Sequence, residues 1–229
     1  MTAPIQVPGS GALNQHEREL TARVHTVVTI EPDTIMVKAL PPGTLPRYLN
    51  AEVSQGVWGK EPPFDYRVIG GSVVRAQDVQ ELRTPAEFMR ALRLDYPGSP
   101  FRPGFPVLHV LEFRAVAPNQ YIVPLGAPSV DDPRNPAPFD SDPVRAAAWA
   151  MADAAETVGL DPNKYRRQIN PWPYTGTGIT ADPDLGVPER WRRYDPIPAD
   201  STIVEYNRDG ARTPVAIYRG EAFGWEPLR

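Results

Sequence analysis

Apolar positions fall into short segments separated by proline, and their spacing switches between the strand and helix periods. Residues 23–30 (Arg-Val-His-Thr-Val-Val-Thr-Ile) are rich in β-branched side chains, which pack well on a pleated surface, and predict a strand. A short helix over 15–22 precedes it. Residues 34–40 predict a second strand, with Glu31-Pro32-Asp33 as the turn between the two. A long loop reaching about Asp65 follows, opened by Leu40-Pro41-Pro42-Gly43-Thr44. Residues 68–76 read as a third strand. The next helix has a clear start: Thr84 as N-cap, Pro85 at the first position and Glu87 at the third form a capping box. Phe88 and Leu92 supply its buried stripe, with Met89 beside them, and the helix is expected to end near Leu94.

Residues 107–115 give the strongest strand. Val107, His109, Leu111, Phe113 and Ala115 share one face, and Leu108, Val110, Glu112 and Arg114 the other. Apolar residues on both faces at its start predict a central position. Residues 121–124 form a short strand, followed by a Pro/Asp loop. Asp142-Pro143 caps an Ala-rich helix over 144–158, and Gly159 closes it. Asp161-Pro162 suggests another short helix to about Ile169, and a Pro-broken stretch reaches Ala199. Residues 201–207 and 213–219 flank Arg208-Asp209-Gly210 as a closing hairpin. Strands at both ends with two main helices between them predict an α+β fold: a mixed, mostly antiparallel sheet with long Pro-rich ordered loops. Residues 1–14 read as a flexible tail and 15–229 as one α+β domain. No Gly-rich strand-to-helix turn of Rossmann or P-loop type is present.

Composition sharpens this picture. The chain holds 29 Pro among 229 residues, more than double the usual ~5% share, so long helices and broad regular sheets are not expected. There is no Cys, which excludes disulfides, thiolate catalysis and zinc–thiolate sites. Three His limit any His-based chemistry to His25 or His109, since His16 falls close to the tail. The net charge of −4 has no basic stripe, so there is no strong nucleic-acid signal. No basic, apolar leader and no run near the ~18 apolar residues of a membrane helix is visible. The expected location is therefore cytoplasmic, or outside the cell by a signal-independent route.

Three constellations carry candidate chemistry. Arg75 ends a strand and precedes a polar turn and a capped helix, so its fork can hold a phosphate or carboxylate, or pair with Asp78 or Glu81. The segment Tyr174-Thr175-Gly176-Thr177-Gly178-Ile179-Thr180 lets backbone amides and hydroxyls approach a ligand, and Trp172 and Tyr174 can stack on a planar ring. Glu205, in Ile203-Val204-Glu205-Tyr206, and Glu112, on the central strand, are carboxylates able to stabilise an oxocarbenium-like centre. They are equally ordinary cross-strand partners for Arg. His109 reads as a core residue more readily than as a catalyst.

The order Arg75, then Thr175-Gly176-Thr177, then Glu205 resembles the Arg…Ser/Thr…Glu order of ADP-ribosyltransferases. In this chain the middle motif is Thr-Gly-Thr and position 203 is Ile. Residues 66–229 also resemble the C-terminal toxin domains of bacterial polymorphic toxins, at Gly71-Ser72-Val73-Val74-Arg75-Ala76-Gln77-Asp78, Leu82-Arg83-Thr84-Pro85, Pro173-Tyr174-Thr175-Gly176 and the closing hairpin. Leu40-Pro41-Pro42-Gly43-Thr44 is similar to a segment of the NAD-glycohydrolase toxins of mycobacterial type, whose Gly-Gln-Pro-Gly-Gly segment is absent here. These resemblances imply a toxin-like enzyme with NAD as substrate and no metal. Arg75 would hold the pyrophosphate, Thr175, Gly176 and Thr177 the ribose or amide, Trp172 or Tyr174 would stack, and Glu205 would stabilise positive charge. An immunity protein or a carrier is the partner such a domain implies. A non-enzymatic binding module, such as a phage or secretion-system component, and a metal-independent nuclease toxin are the alternatives.

Overall fold

The computed structural model describes residues 13–56, 63–95, 99–124, 142–160, 165–166, 177–180 and 186–228. The fold is α+β, with a mixed, mostly antiparallel sheet. Chain contacts group into two compact units. The first combines Met1–Glu31, Arg90–Ser99 and Ala117–Trp191, and the second Pro32–Met89, Pro100–Val116 and Arg192–Arg229.

The second unit is built on an antiparallel sheet. Its strands are β1 (Ile35–Leu40), β4 (Val68–Arg75), β5 (Val107–Arg114), β9 (Thr202–Asn207), β10 (Arg212–Tyr218) and β11 (Trp225–Pro227). They lie in the order β11-β10-β9-β5-β1-β4, with every neighbouring pair antiparallel. The strand predicted to be central, β5, is interior, and Leu108, Val110, Leu111 and Phe113 are all buried. The predicted closing hairpin forms, with Gly210 at φ +81°. The Asn207 side chain accepts from the amides of Asp209 and Ala211 at 3.0 and 2.9 Å, a local bond that fixes the turn. The predicted capping box also forms at the helix α3 (Pro85–Ala91). Thr84 N–H donates to Glu87 at 2.8 Å, and Glu87 N–H to the Thr84 hydroxyl at 3.3 Å. The helix ends three residues earlier than predicted. The expected loop after Leu40 instead contains the short helix α2 (Thr44–Leu49) and a two-stranded ribbon of β2 (Val53–Ser54) and β3 (Phe64–Asp65). The aromatic side chains of Tyr48, Phe64 and Trp225 meet at 5.1 and 5.3 Å between ring centres, contacts that hold these small elements.

The first unit holds α1 (Gln15–Val27), β6 (Tyr121–Pro124), α4 (Asp142–Thr157) and β7 (Tyr165–Arg166), with β6 and β7 parallel. Three expectations change here. Residues 23–30 do not form a strand, because α1 continues through Val27. Asn14 caps it, with Glu17 closing a capping box. Its Ala22 is buried against Val123, Met151 and Ala155, so packing outweighs the β-preference of Val24, Thr26 and Val27. Consequently Glu31-Pro32-Asp33 joins a helix to β1 rather than turning a hairpin. Tyr165–Arg166 is extended, where a helix from Asp161 is predicted. The third change is β8 (Glu189–Pro196), within the stretch read as Pro-broken and irregular. The Ala-rich helix predicted over 144–158 is present as α4, and Met151, Ala152, Ala154 and Ala155 are buried.

Candidate functional site

In the second unit the register of the sheet places Leu40, His109, Glu205 and Thr213 in one row across β1, β5, β9 and β10. Directly paired residues project to the same face. His109 Nε2 therefore comes within 3.4 Å of Glu205 Oε2, an ion-pair distance without hydrogen-bond geometry, with the two side chains 21% and 28% exposed. This end of β5 borders a small, open recess of about 20 Å³, lined by Leu40, Pro42, Met89, Phe101, Phe105 and His109 among others. Apart from the imidazole its lining side chains are apolar, and the rest of its polar surface comes from the backbone. An imidazole beside a carboxylate at the rim of an apolar-lined recess can meet a small ligand at the surface. His109 thus sits on the face its alternation predicts, but beside a recess rather than in a closed core.

Arg75 is not part of this site. Its guanidinium grips Asp78 with two bonds, Nε to Oδ2 and Nη2 to Oδ1, both 2.7 Å, and the pair is largely buried. Arg75 pairs with Met36, which pairs with Phe113, four residues along β5 from His109. Three strand spacings of ~4.8 Å and four residues of ~3.3 Å put Arg75 and Glu205 roughly 20 Å apart. One ligand pyrophosphate and one ribose cannot be shared by them, so the predicted pairing of Arg75 with Glu205 is corrected. Sheet order explains it: β4 and β9 are separated by β1 and β5, and chain order carries no information about that. Glu112, on the other face of β5, accepts from Arg212 Nη2 at 2.6 Å, and Arg212 Nε donates to the Tyr206 hydroxyl at 3.2 Å. It is the cross-strand ion-pair partner that its position allows.

The sequence reading missed Arg192. Only 1% of its side chain is exposed. It donates to Asp195 at 2.8 Å and lies 5.5 Å above the Phe113 ring. A run of charges, Arg190-Trp191-Arg192-Arg193, reads as a solvated surface. The signal that could have revealed its burial is the two-residue spacing of Arg190 and Arg192, the period of one strand face.

In the first unit, Thr177 to Thr180 are the described part of the predicted ligand loop; Trp172, Tyr174, Thr175 and Gly176 lie outside the described residues. Thr177 is buried, and its carbonyl is 2.8 Å from His25 Nε2. His25 Nδ1 is 3.0 Å from Arg190 Nη1, while Arg190 Nη2 donates to the Val28 carbonyl at 2.8 Å. An arginine only donates and a carbonyl only accepts. His25 is therefore the neutral tautomer with its proton on Nε2, accepting at Nδ1. Burial, reinforced by the Arg190 charge, pushes its imidazole down to about 3. Gly178 has φ +72°, and a Cβ there would stand 3.0 Å from the His25 ring. The glycine of the Thr-Gly-Thr-Gly run thus serves the close approach of this segment to His25.

No helix among the described residues is long and apolar enough to cross a membrane, and these residues hold no group of three or more His, Asp or Glu placed to bind a metal. No family model matches the chain, and neither a curated protein nor a solved structure matches it.

Proposed function

We propose that the protein is a toxin-like enzyme that consumes NAD, with His109 as its catalytic group and Glu205 as the positioning residue behind it. The observation that carries this reading is the 3.4 Å contact of His109 with Glu205 at the wall of an apolar recess. The recess itself has room for about one water, about 20 Å³, so a planar ring such as nicotinamide would lie across its mouth. One feature of the recess supports the reading. Its wall includes Leu40 and Pro42, from the segment similar to the NAD-glycohydrolase toxins.

In this reading the nicotinamide ring packs across the mouth of the recess beside His109 and the rest of the dinucleotide lies along the surface. The bond between the ribose and the ring nitrogen breaks with its electron pair going to nicotinamide. Water adds to the positively charged ribose carbon, and the imidazole of His109 takes the proton that the water loses. Glu205 holds that imidazole in orientation and balances its charge. NAD and water become ADP-ribose, nicotinamide and a proton, with no redox change. Arg75 has no part in it, because its fork is already closed on Asp78.

The test is nicotinamide release from NAD by the purified protein, with His109→Ala, Glu205→Gln and Arg75→Lys beside it. Release that His109→Ala abolishes and Arg75→Lys retains supports the site. No release by folded protein, with or without protein acceptors, overturns the reading. The binding-module alternative is favoured by one observation, the small volume of the recess, and gains if NAD or nicotinamide binds saturably without turnover.

A further inference from the structure

We propose that His25 is an acid-sensitive latch: proton uptake by its imidazole detaches the Thr177–Thr180 segment and the end of α1 from Arg190 and opens the first unit. Both ring nitrogens are committed, Nε2–H to the Thr177 carbonyl at 2.8 Å and Nδ1 to Arg190 Nη1 at 3.0 Å. A second proton can enter only at Nδ1, where it removes the acceptor and sets an imidazolium against a guanidinium. Neither group can retreat into water: His25 is 3% and Arg190 5% exposed.

The same arginine ties three parts of the chain together. Its other bonds reach the carbonyls of Val28, at the end of α1, and Glu189, on β8. Gly178 accepts the Glu189 amide at 2.7 Å, and Thr180 donates to the Val187 carbonyl at 2.9 Å. Loss of the His25 contact therefore loosens α1, β8 and the 177–180 segment at once. Val123 on β6 lies beside the same ring, the two meeting at Gly178. Glu189 neighbours Arg190 on β8 but points to the opposite strand face, and Arg190 is the charge that acts on the ring.

The sign follows from proton counting. The unfolded chain takes a proton at His25 near 6.5, and the folded unit only near about 3. Between those values the open form binds more protons, so the closed form is fully favoured above 6.5 and loses ground as pH falls. One proton makes the opening equilibrium rise about tenfold per pH unit.

Hydrogen exchange of the Val28 and Thr180 amides, corrected for the intrinsic pH dependence, reads that equilibrium. Between pH 6.5 and 4.5 the wild type is expected to open about fiftyfold more, and His25→Gln, an uncharged donor and acceptor, to stay flat. Equal slopes in the two proteins overturn the proposal. Should His25→Gln not fold, an NMR titration of the wild-type imidazole decides. A ring that stays neutral with its proton on Nε2 down to pH 4.5 supports the latch, and a ring titrating near 6.5 overturns it.

Discussion

His25 and His109 are the same side chain put to opposite uses in the two units. In the first unit His25 spends both nitrogens on the chain, one on a carbonyl and one on a buried guanidinium, and its imidazole is held neutral. In the second unit His109 stands at a recess with a carboxylate beside it, one-fifth exposed. A histidine's chemistry is thus set less by how buried it is than by what its nitrogens face. A cation facing Nδ1 makes the ring a structural acceptor. A carboxylate facing Nε2, with open volume alongside, leaves a ring able to move a proton.

Substitutions should separate the two roles. The largest effect is expected at the first unit. His25→Ala leaves the Arg190 guanidinium buried without its imidazole acceptor, and should cost about 3–5 kcal/mol of stability. Denaturant unfolding measures it, and a loss below 1 kcal/mol would show that the imidazole is not a structural acceptor. His109→Ala should instead lower nicotinamide release by about 100-fold or more, the range of a lost general base. Its unfolding midpoint should move little, since the side chain is partly exposed. Arg75→Ala sharpens the contrast from a third direction. It breaks a largely buried bidentate pair and should destabilise by about 3 kcal/mol, with turnover per folded molecule unchanged. Glu205→Gln keeps shape but removes the charge behind His109. A tenfold loss in kcat with an altered pH–rate profile is expected, and an unaltered profile would reduce Glu205 to a packing residue. Thr84→Ala removes one side of the α3 capping box and should cost about 1 kcal/mol, leaving both histidines as they are.

Much of the sheet was legible because it rests on local signals. The alternation of 107–114, the Asp209-Gly210 turn and the Thr84/Glu87 box each depend on residues a few positions apart, and each appears where it was predicted. The candidate site was legible only in part. Glu205 and His109 could both be named, but their pairing depends on β5 and β9, almost a hundred residues apart, lying side by side in one register. Arg75 was named for a ligand and is instead closed on Asp78, three residues away, a partner the sequence offered as its plainer alternative.

The sequence by itself determined the α+β class, the major strands of the second unit, the Ala-rich helix and the absence of thiol chemistry. These follow from backbone preferences, side-chain period and residue inventory, which are properties of neighbours along the chain. The tertiary structure decided that residues 23–27 end a helix, that Arg190 and Arg192 are buried, and that Arg75 and Glu205 stand far apart. In each case the deciding energy is burial or a hydrogen bond to a residue distant in sequence, and such partners outweigh a local preference worth a fraction of a kcal/mol per residue.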